Sequence, residues 1–153
     1  MNSGRSALLR CFPVLLLALM SLFHTSALQA QSRVSDRDVE ALMRNLKDDS
    51  KSFRENFDTA LKKSAIRRTS QEKDAKSLVA SFEKQTDSMF SEFKKTRKGD
   101  VAVETTISNA QEIERLMHGM QLDPKTLAEW EKIRTELSHV SAAFGIHVSS
   151  GHM

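Results

Sequence analysis

The first chemistry to test is a di-iron site, because Glu136 and His139 have the Glu-x-x-His spacing of such sites. A di-iron site in a helical bundle needs this motif on two helices, together with further inward glutamates. No second copy exists, since Glu114 and His118 have one residue too many between them. At about 100° per residue, His139 also lies roughly 140° from the centre of the apolar stripe of its helix. The spacing therefore predicts that His139 faces solvent, and we expect no metal-binding residue.

A haem site would need methionine and histidine ligands that point into the protein. Three methionines lie on apolar stripes: Met43, Met117 and Met120. No histidine shares a stripe with them, because His118 lies roughly 110° away from the stripe of its helix. His147 and His152 are close to the end of the sequence, where a histidine pair would bind a transition metal only weakly. We interpret the methionines as core residues and expect no cofactor and no cofactor-binding residue.

The sequence also lacks the signatures of hydrolytic and nucleotide-dependent enzymes. It contains no Gly-x-Ser-x-Gly, no His-Glu-x-x-His and no glycine-rich phosphate loop. The only cysteine is Cys11, which lies in an N-terminal segment that we interpret below as removed. The acidic residues are expected on exposed helix faces, where burial cannot tune a carboxyl group for acid–base chemistry. We therefore expect no catalytic residue and no enzymatic activity.

Two basic clusters remain as candidate binding features. They are Lys62/Lys63/Arg67/Arg68 and Lys94/Lys95/Arg97/Lys98. One interpretation is contact with an anionic surface, such as phospholipid headgroups or an acidic polymer. The other is that cations favour the carboxyl ends of helices for local electrostatic reasons. The formal charge of +3 falls to +1 when Arg5 and Arg10 are subtracted, so charge gives little reason to expect a nucleic-acid partner.

The stretch from Ala75 to Phe93 is the centre of the predicted fold. Its stripe residues are three or four positions apart, with two adjacent pairs: Ala75, Leu78, Val79, Phe82, Thr86, Met89, Phe90 and Phe93. This spacing predicts a helix with one broad apolar face. Because such a helix is not stable alone in water, the other segments must cover that face. Ser50 and Thr86 lie at stripe centres, so we expect buried hydroxyls bonded to the carbonyls of Leu46 and Phe82.

Capping residues and glycines predict the helix boundaries. Three starts are marked by Ser35 with Asp38, Thr69 with Glu72, and Asp123 before Pro124. Gly99 and Gly145 predict the ends of the second and fourth helices. The third stripe contains Val103, Ile107, Ala110, Ile113, Leu116, Met117 and Met120, and the fourth contains Leu127, Trp130, Ile133, Leu137, Val140 and Phe144. The pattern predicts an all-α, up-down-up-down four-helix bundle. The alternative is a three-helix fold in which the first two helices continue through residues 64–68.

Residues 1–30 have the three-part pattern of a secretory signal peptide. Arg5 and Arg10 form a basic front, an apolar run follows, and the segment ends in small and polar residues. The apolar run is shorter than the roughly 20 residues that a membrane span needs. We expect cleavage after Ala30, with cleavage after Ala27 or retention of the segment as an anchor as alternatives.

The predicted domain organisation follows from that cleavage. Residues 31–146 form the helical bundle domain, and residues 147–153 form a flexible C-terminal tail. The mature chain would have no transmembrane span. The expected location is the periplasm or the cell exterior.

The layout resembles that of a group of secreted bacterial helical proteins of uncharacterised function. The resemblance is carried by four stretches: Arg33–Val39, Phe82–Thr86, Ile113–Met117 and Trp130–Phe144. These stretches are mainly core positions. The resemblance implies secretion and a helical fold, and it implies no activity and no site.

The sequence thus predicts a non-enzymatic interaction or structural protein. Its partner would be an unknown protein or an anionic envelope surface. The alternative is a small ligand- or haem-carrying bundle, which the absorbance of the protein purified from its native host would reveal.

Overall fold

The structure is a computed structural model that describes residues 34–146. The predicted signal peptide, residues 1–30, lies outside this range. So does the predicted tail, residues 147–153, together with His147 and His152. The described chain is all-α, with four helices and no strand. Within it, no helix combines the length and the apolar character that crossing a membrane requires.

The four helices follow one another with short connections. Helix α1 is Asp36–Leu61, α2 is Ser70–Thr96, α3 is Asp100–His118 and α4 is Pro124–Ala143. Helix α1 packs against α2 and α4, and α2 also packs against α3. The interface between α3 and α4 is the smallest of the four.

The predicted helix starts are confirmed. Ser35 and Thr69 accept hydrogen bonds from the backbone N–H groups of Asp38 and Glu72, at 3.2 and 3.3 Å. Asp123 Oδ1 accepts from the backbone N–H groups of residues 125 and 126, with Pro124 in the first turn. These bonds satisfy amides that have no partner inside the helix.

Two boundary predictions are corrected by the structure. The turn of residues 62–69 separates α1 from α2, so the three-helix alternative is wrong. Gly99 does not end α2. The helix ends at Thr96, and Arg97 takes the left-handed conformation with φ 56°. Helix α4 ends at Ala143, two residues before the predicted stop at Gly145, which takes a positive φ of 69°.

The core is centred on four aromatic rings. Trp130 lies 5.2 Å from Phe53 and 5.7 Å from Phe82 between ring centroids, and Phe57 is 5.4 Å from Phe53. The rings come from α1, α2 and α4, and each side chain is buried. Since large aromatic side chains bury much apolar surface, this cluster joins α1, α2 and α4 through apolar contact.

The predicted stripe of α2 is confirmed, but the stripes of α3 and α4 are rotated slightly. Leu78 is partly buried and the other seven α2 positions are buried. In α4, Leu127 is 46% exposed and Thr126 is buried instead. In α3, Thr106 is buried, whereas Ile107 is only partly buried. Adjacent residues lie about 100° apart on a helix, so a small rotation exchanges one for the other.

The two polar stripe positions are buried, as predicted. Ser50 donates to the carbonyl of Leu46 at 2.6 Å, which confirms its predicted partner. Thr86 donates to the carbonyl of Glu83 at 2.8 Å, so the prediction of Phe82 as its acceptor is wrong. Both hydroxyls are satisfied by carbonyl groups of their own helices.

Candidate functional site

Ion pairs between α1 and α2 use many of the charges on that side of the protein. The pairs are Lys47–Asp87 at 3.3 Å, Arg97–Glu40 at 2.9 Å, and Arg54–Glu83. The hydrogen bond from Arg97 is the main cause that lowers the pKa of Glu40. Exposed ion pairs of this kind contribute little to the free energy of folding. The cations that form them are, however, less available to bind a partner.

The ring of Phe90 is covered by three cationic side chains from α1 and α2. Arg44, Lys47 and Lys94 lie 5.8, 5.4 and 5.5 Å from its ring centroid. Arg97 lies 5.5 Å from the ring of Phe93 in the same way. The aliphatic stems and charges of these residues therefore cover aromatic surface.

A surface groove of about 560 Å³ lies beside the first turns of α1. It is lined by Asp36, Arg37, Glu40, Ala41, Arg44 and Arg97. Glu40 Oε1 is 3.4 Å from Arg44, and its other oxygen pairs with Arg97. Two of the three arginines that line the groove are therefore engaged by Glu40.

The two predicted basic clusters lie at opposite ends of α2, and they differ in how their charges are used. In the second cluster, Lys94 and Arg97 contact aromatic rings and Arg97 also pairs with Glu40, whereas Lys95 and Lys98 are exposed. In the first cluster all four side chains are exposed. Among the described residues, none of them forms an ion pair within 4.0 Å. The first cluster therefore has four cations available to a partner.

The turn that carries the first cluster is well ordered by hydrogen bonds. Its backbone N–H groups at residues 63, 64, 67 and 69 donate to carbonyls three residues back. Ser64 and Thr69 add side-chain bonds to the carbonyls of Leu61 and Ile66. Ile66 packs against the core between the two basic pairs. The four cations are thus presented on a fixed backbone.

A second polar group lies between α1 and α4. Lys132 Nζ is 2.8 Å from Oδ1 and 2.7 Å from Oδ2 of Asp49, and 4.0 Å from Glu136 Oε1. The carboxyl groups of Asp49 and Glu136 therefore lie on either side of the same ammonium group. About two turns nearer the start of α4, Asn56 donates to Glu129 Oε1 at 2.7 Å.

These contacts correct the prediction that the acidic residues lie on exposed helix faces. Glu114 is only 8% exposed, with Oε1 3.5 Å from Arg134 Nη1. The side chain of Glu136 is 14% exposed. Burial raises the pKa of Glu136 to about 7, and the neighbouring Asp49 carboxyl group acts in the same direction. The spacing of Lys132 and Glu136 is a sequence signal of an ion pair, but nothing in the sequence aligns them with Asp49.

The histidines lie where the helical spacing predicts. His139 is exposed, while Glu136 on the same helix faces α1. His118 is also exposed, and its Nδ1 lies 2.8 Å from the backbone carbonyl of Glu114. Met43 and Met117 are buried in the core. Over residues 34–146, no three acidic, histidine or cysteine side chains are grouped as a metal site requires.

No family model, curated protein or solved structure matches this chain in the comparisons made. The resemblance to secreted bacterial helical proteins stays an expectation.

Proposed function

We propose that this chain is a secreted or periplasmic, non-enzymatic helical interaction protein that contacts an anionic envelope surface. The contact is made by the α1–α2 turn, defined as residues 62–69. The observation that carries this proposal is the set of four exposed cations without an ion-pair partner among the described residues. They are Lys62, Lys63, Arg67 and Arg68.

The proposed topology is an up-down-up-down bundle, which places this turn at one end of the molecule. It is supported by contacts in which the residue number rises on one helix as it falls on the next. The contacts are Lys47–Asp87 and Arg54–Glu83, Gln85–Asn109 and Met89–Thr106, and Asp49–Lys132 and Asn56–Glu129. Such an order is typical of antiparallel neighbours joined by short turns.

A ligand- or haem-carrying function has less support. Trp130, Phe53 and Phe82 fill the middle of the bundle, where a carrier of this shape would hold its ligand. The described histidines are exposed on the outside of the helices. An interaction function needs only the surface and leaves this core intact.

The first test is binding to lipid vesicles. Each basic residue near an anionic membrane contributes about 1 kcal/mol, so Lys62→Gln with Lys63→Gln should weaken binding by about 2 kcal/mol, or roughly 30-fold. Binding is measured by co-sedimentation with vesicles that contain phosphatidylglycerol, against vesicles of phosphatidylcholine alone. Added salt should weaken the binding of the unmodified protein, since exposed charges are screened.

The matched control is Lys51→Gln with Lys84→Gln. Both lysines are exposed on helix surfaces outside the two basic clusters, and the change in net charge is the same. This variant should bind nearly as well as the unmodified protein. An equal loss in both variants would mean that overall charge, and not the turn, causes binding. Failure of the unmodified protein to bind the anionic vesicles would exclude a phospholipid surface as the partner.

Export is a separate part of the proposal. The basic front, short apolar run and small residues of the first 30 positions support removal of that segment during secretion. The intact mass of the exported protein should correspond to a chain that begins at Gln31. A mass that begins at Leu28 would indicate cleavage after Ala27. An exported protein that keeps residues 1–30 would contradict the proposal.

A further inference from the structure

The contact between α1 and α4 contains two carboxyl groups and one ammonium group. Asp49 is on α1, and Glu136 and Lys132 are one turn apart on α4. Lys132 binds both oxygens of Asp49 and is farther from Glu136, at 4.0 Å. Glu136 Oε2 is buried without a hydrogen-bond partner among the described residues. The side chains of Asp49 and Glu136, hereafter the carboxyl pair, are only 26% and 14% exposed.

Within residues 34–146, no cation other than Lys132 forms an ion pair with Glu136. On the side of α4 that faces α3, the buried Glu114 is engaged with Arg134. Farther along α4, Glu129 meets Asn56 and Lys125. His139 is exposed. Among the described residues, the groups that act on Glu136 are therefore Asp49 and Lys132, so two partly buried carboxyl groups share one positive charge.

Two adjacent carboxyl groups in a partly desolvated site favour a state that holds one proton between them. In that state the Glu136 carboxyl group donates to the Asp49 carboxylate, and Lys132 neutralises the remaining charge. When the proton leaves, two negative charges face each other across the α1–α4 interface. Repulsion between them then opposes the packing of α4 on α1.

We propose that the carboxyl pair is a proton-dependent contact that holds α4 against α1 when protonated and loosens α4 when both groups are ionised. The protonated and ionised states of the carboxyl pair differ by one proton. No covalent bond to a ligand forms or breaks between them. The contact lies on a different part of the protein from the α1–α2 turn, so it does not depend on the function proposed above.

The pH range follows from the direction of each pKa. The pKa of Glu136 is raised from an ordinary value of 4.5 to about 7. Its stabilising contribution is therefore complete below the ordinary value and is lost as the pH rises through about 7. Burial alone would raise the pKa of Asp49, but the neighbouring Glu136 carboxyl group and the hydrogen bond from Lys132 outweigh this and lower it. The contribution of Asp49 is lost only in more acidic solution, below the range in which Glu136 titrates.

The test combines side-chain titration with amide hydrogen exchange on the purified protein. Carbon-13 NMR of the Glu136 carboxyl group should give a titration midpoint near neutral pH. Exchange in α4, corrected for intrinsic chemical rates, should become at least about tenfold faster between pH 5.5 and pH 8, the factor that one pKa unit represents. Exchange in α2 should change less, because α2 does not carry the carboxyl pair.

Three variants separate the pair from general effects of pH. Glu136→Gln keeps a donor toward Asp49 without a titratable group, so α4 exchange should no longer depend on pH in this range. Asp49→Asn should lower the titration midpoint of Glu136. Glu131→Gln is the control, since Glu131 is on the same helix with a side chain that is 66% exposed. It should keep the pH dependence of the unmodified protein.

The clearest contrary result needs no variant. A midpoint for Glu136 close to the ordinary glutamate value in the unmodified protein would overturn the proposal. So would a pH dependence of α4 exchange that persists in Glu136→Gln.

Discussion

Trp130→Ala should lower the free energy of unfolding by about 3–5 kcal/mol, the range measured when a large buried aromatic side chain is truncated. Trp130 is 4% exposed and contacts the rings of Phe53 on α1 and Phe82 on α2. Its removal would leave a cavity where three helices meet. The measurement is urea unfolding followed by circular dichroism, because the variant loses the only tryptophan and its fluorescence.

Leu127→Ala is the matched control on the same helix. Leu127 and Trp130 both belong to the apolar stripe that the sequence predicts, but Leu127 is 46% exposed in the structure. Its truncation should change the free energy of unfolding by less than about 0.5 kcal/mol, as is usual for surface positions. Equal losses in the two variants would show that α4 is rotated relative to the structure described here.

Trp130→Phe separates packing from hydrogen bonding at the same position. The indole Nε1 of Trp130 is buried without a partner among the described residues. Phenylalanine keeps most of the aromatic contact and removes this unpaired donor. The loss should therefore be only about 1–2 kcal/mol. A loss as large as that of the alanine variant would indicate that Nε1 has a partner, such as a water molecule.

The sequence predicted features that depend on one segment at a time. The caps at Ser35, Thr69 and Asp123 are recognisable because each bond connects residues within one helical turn. The stripe of α2 was predicted well because its apolar residues cover a broad face. Such a face tolerates a small error in helix rotation.

Features that depend on two segments were not predicted. Thr126 is buried in place of the predicted Leu127 because of the way α4 is rotated against its neighbours. Helical spacing alone does not determine this rotation. The position of Asp49 beside Lys132 and Glu136 requires the relative alignment of α1 and α4, whose residues are far apart in sequence. Glu114 is buried because Arg134 of α4 lies opposite it. In each case, residues of another helix determine whether the side chain is buried and what it contacts.

Gly99→Val should lower the free energy of unfolding by about 1–3 kcal/mol, the usual cost of forcing extra methyl groups into a packed region. A Cβ atom at Gly99 would lie 3.1 Å from Cζ of Phe144 and 3.4 Å from Cε of Met43. The methionine end is flexible, but Phe144 is packed edge-on against Phe93 with centroids 5.9 Å apart. The φ of Gly99 is −168°, which any residue adopts, so the cost is steric and not one of backbone conformation.

Gly119→Ala should have the opposite effect, which makes it the control for Gly99→Val. Its φ is −88°, and a new Cβ would approach only the Leu116 carbonyl oxygen, at an ordinary 3.7 Å. Alanine restricts the unfolded chain without a clash, so the variant should gain about 0.4–1 kcal/mol. Both values can be measured by urea unfolding with Trp130 fluorescence as the probe. If Gly99→Val were as stable as Gly119→Ala, the close approach of Phe144 to the α2–α3 connection would be wrong, and the end of α4 would pack elsewhere.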